Sequence, residues 1–114
     1  MPKDDAIRLR HILDAARKAV AFSRGRSRKD LDADSMLPLS IVRLLEIIGE
    51  AAGTVSSAYC ETHPDIPWKK MRGMRDRLIH AYFDINLDIV WETVTKDLPP
   101  LVAVLEQLTL QEDR

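Results

Sequence analysis

Apolar residues in this chain recur every three or four positions and almost never every second one, a spacing that selects helix over strand. Ile41, Leu44, Leu45, Ile48, Ala52 and Val55 form the apolar stripe of a long helix running from about Pro38 to Tyr59. Gly49, Ala51, Ala52 and Gly53 keep the middle of that helix slim enough for another helix to approach closely. Before it, Asp4 or Asp5 can cap a helix reaching about Phe22, with Ile7, Ile12, Leu13, Ala16 and Val20 toward the core. "RGRSRKDLDADS" between the two reads as a polar loop.

"HPDIP" then interrupts the chain, because proline disfavours helix in the residue before it. Pro67 can open a third helix over about 67–82. "FDIN" is a connection, and Asn86 or Asp88 caps a fourth helix that buries Ile89, Val90, Val94 and Leu98. The proline pair in "DLPPL" restarts a last helix through Leu110, since prolines suit a helix start better than its interior. The expectation is an all-α bundle of four to five helices, forming one domain over 1–114.

Composition narrows the function classes. A hydrophobic fraction of 46% with 31% charged residues is a globular balance. No apolar run approaches the ~20 residues of a membrane span. "MPKDDAIRLRH" lacks a signal peptide's apolar core, so a cytoplasmic location is expected. Cys60 is the single cysteine, which excludes a disulfide framework and a cysteine metal cluster. The net charge is only −1, but residues 1–30 hold nine Lys/Arg against four Asp, and residues 84–114 hold two against seven Asp/Glu. "SRGRSRK" and "KKMRGMRDR" are local basic clusters, which are either solvated faces or patches that gather phosphate.

The second cluster runs into "RDRLIHAY" (75–82), the densest concentration of reactive side chains in the chain. On a helical wheel turning ~100° per residue, Met71, Met74, Leu78 and Tyr82 form a buried stripe and Arg75 lies on its flank. Arg72, Asp76 and His80 form a separate row, in which Asp76 can pair with either neighbour and orient the imidazole. Arg75 and His80 stand roughly 140° apart on such a helix and do not converge easily. Either the helix ends or distorts near His80, or two copies face each other across a two-fold axis.

Histidine can move a proton at neutral pH, and arginine offers a fixed planar cation that matches a phosphate. The pair can therefore support RNA cleavage without metal: one group takes the ribose 2′-hydroxyl proton and the other steadies charge on phosphorus. No Gly-rich phosphate loop, GxSxG or Mg²⁺-type carboxylate cluster accompanies it. The same row is also what a plain ion-pair network looks like.

"RDRLIHAY" resembles the Arg-x4-His-x-Tyr motif of the HepT-like family of HEPN proteins, with Arg75, His80 and Tyr82 at its defining positions. "LLEIIGEAA" and "IPWKKMRGMRDRLIHAYFDINLDIVWETVTKDLPPL" resemble that family in the same order, so the likeness covers nearly the whole chain. It implies a HEPN bundle that pairs as a homodimer with the motif lining a shared cleft. It implies a metal-independent ribonuclease toxin, needing no cofactor, acting on RNA. Its partner would be an MNT-type nucleotidyltransferase antitoxin that transfers AMP to Tyr82. Asp76 fits the polar position that often follows the motif arginine. The competing readings are a non-catalytic partner subunit that serves as the modification substrate of a nucleotidyltransferase, and a plain dimeric helical module.

Other residues read as ordinary. Trp68 and Trp91 are core anchors, Met71 and Met74 core filling, and His11 and His63 surface residues without metal-ligand spacing. Glu46 and Glu50 are either solvated or paired with Arg72 or Arg75.

Overall fold

The fold is known from a computed structural model describing residues 3–81 and 84–112, side chains at 80, 81 and 112 excepted. Helix α1 spans Lys3–Ser23, a short α2 spans Asp30–Ala33, and α3 spans Met36–Thr54. Two further pieces follow, α4 over Ser57–Thr62 and α5 over Trp68–Arg72. Helix α6 covers Met74–Leu78 and leads into a minimal antiparallel pair, β1 (Ile79–Ala81) and β2 (Asp84–Ile85). Helix α7 (Leu87–Glu92) continues through a π-helical turn, Thr93–Asp97, into α8 (Leu98–Glu112). The bundle is all-α as expected, apart from that short ladder.

Helices α1 and α3 run antiparallel, because Arg8 near the start of one donates to Thr54 at the end of the other, at 2.9 Å. Leu9, Ile12, Leu13, Ala16 and Ala19 of α1 meet Ile41, Leu45, Ile48 and Ala52 of α3 in one buried core. Leu105 and Leu108 of α8 join that core. Ile7 was expected inside but is 36% exposed, since Asp5, Leu9 and Ile12 define the inward row and Ile7 lies across the helix from it.

Asp5 does not cap α1. The residue is 3% exposed, and its carboxylate accepts from the Ser56 backbone N–H at 2.8 Å and the Ser56 hydroxyl at 2.6 Å. Val55 and Ser56 are extended there, so the helix expected to reach Tyr59 stops at Thr54 and restarts as α4. Ser56 caps the restart by accepting from the Tyr59 N–H at 3.2 Å.

The expected polar loop also contains structure. Leu31 of α2 is buried, and Arg28 bridges Asp88 at 2.7 Å and Asp32 at 3.0 Å. The Asp88 hydrogen bond raises the Arg28 guanidinium above its ordinary pKa.

Gly49 decides how closely α5 approaches α3. A Cβ at this position would stand 3.2 Å from the Met71 carbonyl oxygen, whereas one at Gly53 meets nothing within 4 Å. Gly49→Val is therefore expected to cost ~1–3 kcal/mol through overpacking, while Gly53→Ala gains up to ~1 kcal/mol of helix propensity. Urea denaturation of the two variants checks the pair, and a Gly49→Val chain as stable as the parent would contradict this packing.

Trp68 anchors the "HPDIP" break. It is buried, and its indole N–H donates to the His63 carbonyl at 2.9 Å. Trp91, also expected as a core anchor, is only half-buried. Asn86 caps α7 as expected, accepting from the Ile89 N–H at 3.1 Å. The last α-helix does begin in "DLPPL", at Leu98, but with no break before it. The chain stays helical from Leu87 to Glu112 because the π turn widens it just ahead of Pro99 and Pro100, where their rings would crowd the carbonyls four residues back. Thr93 and Thr95 hydroxyls bond the Ile89 and Trp91 carbonyls, each at 2.7 Å, within this irregular stretch.

Candidate functional site

The motif stretch is not one helix. The expected helix over 67–82 kinks at Gly73 and ends at Leu78. Ile79 is extended, with φ −116° and ψ 111°. The Asn86 N–H bonds the Leu78 carbonyl at 2.7 Å, and Ile79 pairs with Ile85, closing the chain back on itself. Of the two routes open to Arg75 and His80, the backbone takes the first: the helix ends between them. His80 therefore rides on β1, and the angular argument for two facing copies loses its premise. Its ring is not among the described side chains, and Tyr82 lies outside the described residues.

Arg75 occupies the flank expected of it. Met74 and Leu78 beside it are buried, while its own side chain is 52% exposed. Its Nε stands 3.6 Å from Oε2 of Glu46 on α3, so Glu46 holds the root of the guanidinium and leaves much of the group open to solvent. This resolves the alternatives for Glu46; Glu50 instead faces Arg43 at 3.8 Å.

The Arg72–Asp76–His80 row does not form a single helical face. The kink at Gly73 and the end at Leu78 divide it among α5, α6 and β1. Arg72 donates to Cys60 Sγ at 3.4 Å instead of pairing with Asp76, which is exposed. Asp97 is a structural participant that helical spacing gave no means of finding. Its two carboxylate oxygens hold Lys70 at 3.1 Å and Arg77 at 3.5 Å, tying α5 and α6 to the π turn.

Among the described residues, no three His, Cys, Asp or Glu side chains gather closely enough to hold a metal ion. His63 lies against the Tyr59 ring, with centroids 4.3 Å apart, and His11 is exposed. No helix among the described residues is long and apolar enough to cross a membrane.

The sequence model of the family described as Ribonuclease HepT-like matches residues 12–108, a span holding the whole motif and the helices that carry it. The chain belongs to that family. Among curated relatives of the HepT-like chain, "Putative RNase TTE0752" of Caldanaerobacter subterraneus subsp. tengcongensis is 39% identical over 104 residues, covering 91% of this chain and 93% of the relative. "Probable ribonuclease HepT" of Thermococcus cleftensis is 38% identical over 100 residues, covering 88% and 91%. "Putative RNase MJ1380" of Methanocaldococcus jannaschii is 34% identical over 95 residues, covering 83% and 87%. No solved structure matches the HepT-like chain significantly.

Proposed function

We propose that this chain is a metal-independent endoribonuclease, the toxin of a toxin–antitoxin pair, working as a homodimer with Arg75 and His80 in a shared cleft. Membership of the ribonuclease HepT-like family supports the substrate class. The observation that carries the site is the half-open Arg75, braced at its root by Glu46 one helix end before His80. His80 takes the proton from a ribose 2′-hydroxyl. The 2′-oxygen attacks phosphorus, the P–O5′ bond breaks as the 5′-oxygen leaves with a proton from solvent water, and a 2′,3′-cyclic phosphate and a 5′-hydroxyl remain. Arg75 balances the charge that builds on the phosphoryl oxygens. Asp76 acts through His80 as a positioning residue. An MNT-type nucleotidyltransferase antitoxin silences the enzyme by placing AMP on Tyr82.

Incubation of the purified chain with RNA in EDTA tests the chemistry. Cleavage should persist and leave cyclic phosphate or its opened product, whereas a strict Mg²⁺ requirement or 3′-hydroxyl ends would refute the mechanism. Sedimentation at micromolar concentration should give about twice the 13.0 kDa chain mass. A clean monomer that still cleaves would remove the shared cleft. AMP transfer without any cleavage would make the chain a non-catalytic modification substrate.

A further inference from the structure

An open groove of about 760 Å³ runs between the end of α4 and the α5–α6 kink, on ground the proposed chemistry does not use. Its lining is mostly apolar, with Ile66 and Trp68 buried beneath it. Lys69, Lys70, Arg72 and Arg77 rim it, and Glu61 is the carboxylate among its lining residues. Asp97 binds Lys70 and Arg77 from outside the groove. Four cations against two carboxylates leave an excess of positive charge. Lys70 and Arg77 remain 47% and 42% exposed, so their charges stay accessible. Three of the four rim cations are positioned from other elements, Arg72 by Cys60 and Lys70 and Arg77 by Asp97.

We infer that this groove holds the sugar–phosphate backbone of a single RNA strand, a few nucleotides away from the phosphate that Arg75 engages. The inference rests on the ribonuclease reading above. An apolar floor under a cationic rim matches a strand that presents base and sugar faces on one side and phosphates on the other. An acidic protein would satisfy the cations as well, but position favours RNA. Arg72 and Arg77 flank Arg75 on the same kinked helix pair, while Arg75 turns to Glu46 and Arg77 to Asp97. A helix with its side chains is ~10–12 Å across, so a flexible strand can pass over α6 from one site to the other.

The groove thus sets a substrate-length dependence that the Arg75–His80 chemistry alone does not have. Lys69→Gln combined with Lys70→Gln should raise KM for a long single-stranded RNA on the order of tenfold and leave kcat nearly unchanged. Binding to the cleavage-blocked His80→Ala chain should lose ~1.4 from its log–log salt slope when both lysines are removed, since each single-strand phosphate contact contributes ~0.7. A dinucleotide substrate, too short to reach the groove, should be cleaved equally by both forms. Arg24→Gln with Arg26→Gln removes the same charge from the exposed loop after α1 and should have a much smaller effect. Equal losses from the two pairs would reduce the groove to general electrostatics and overturn the inference. An unchanged KM in the lysine variant overturns it while the ribonuclease reading stands, and loss of a protein partner with RNA kinetics intact would assign the groove to that partner. If the unsubstituted chain cleaves no RNA, both readings fall together. Circular dichroism melts of each variant should match the parent, which separates loss of binding from loss of fold.

Discussion

His80→Ala is expected to lower kcat/KM for RNA by ~10²–10⁴, the contribution typical of a positioned acid or base. Arg75→Lys should lose a comparable factor. Lysine keeps the charge but has no planar fork, so it cannot both stay on Glu46 and present paired donors to a phosphate. The two substitutions should separate activity from stability. Arg75 is half exposed and its contact with Glu46 is long, so replacing it should change the unfolding free energy by less than ~1 kcal/mol. Asp76→Asn should cost less activity than either, because in the proposed mechanism that carboxylate acts only through the histidine. Single-turnover cleavage beside thermal melts provides the check. An Arg75→Lys chain with full activity would mean that bidentate recognition of phosphate is not part of the reaction.

Tyr82→Phe is expected to leave cleavage largely intact and abolish silencing by the cognate nucleotidyltransferase. Tyr82 follows directly on β1, two residues beyond His80. A phenol with its ordinary pKa of ~10 is a poor nucleophile until its proton is removed. A partner enzyme carrying Mg²⁺-ATP can supply that base. The phenolate oxygen then attacks the α-phosphorus, pyrophosphate leaves, and a tyrosyl–AMP diester remains. The added phosphate would compete with RNA for Arg75 and fill the cleft without unfolding the bundle. Co-expression should therefore add the mass of AMP to this chain, map it to Tyr82 and stop RNA decay. A fully neutralised complex with Tyr82 unmodified would make occlusion by the partner the mode of inhibition.

The legible part of this fold was the part encoded at short range. The stripe Ile41, Leu45, Ile48 and Ala52 is buried as its spacing predicts. Met71, Met74 and Leu78 likewise form the inner face of the motif segment. Asn86 caps its helix because both partners of that hydrogen bond lie within three residues. Arg75 was legible as a flank residue for the same reason, and its motif with His80 and Tyr82 could be seen in the order of residues alone.

Tertiary structure decided where the helices stop. Beside Val55 the local signal is Ser56, which caps the restart; Asp5, 51 residues before Ser56, holds that serine's N–H and hydroxyl in the extended turn. Leu78 ends its helix because Ile79 finds Ile85 and the Leu78 carbonyl finds the Asn86 N–H across the hairpin. Glu46 chooses Arg75, and Asp97 chooses Lys70 and Arg77, only once three rods are packed together. The sequence by itself determined the long helices and most of the apolar face of each, since a repeat of 3.6 residues is a property of neighbours along the chain. Only the folded structure determined that the motif crosses a helix end, because the Ile79–Ile85 pairing and the Asn86 N–H to Leu78 carbonyl bond that set that end reach six and eight residues along the chain, beyond the three-to-four-residue span that helical spacing reads.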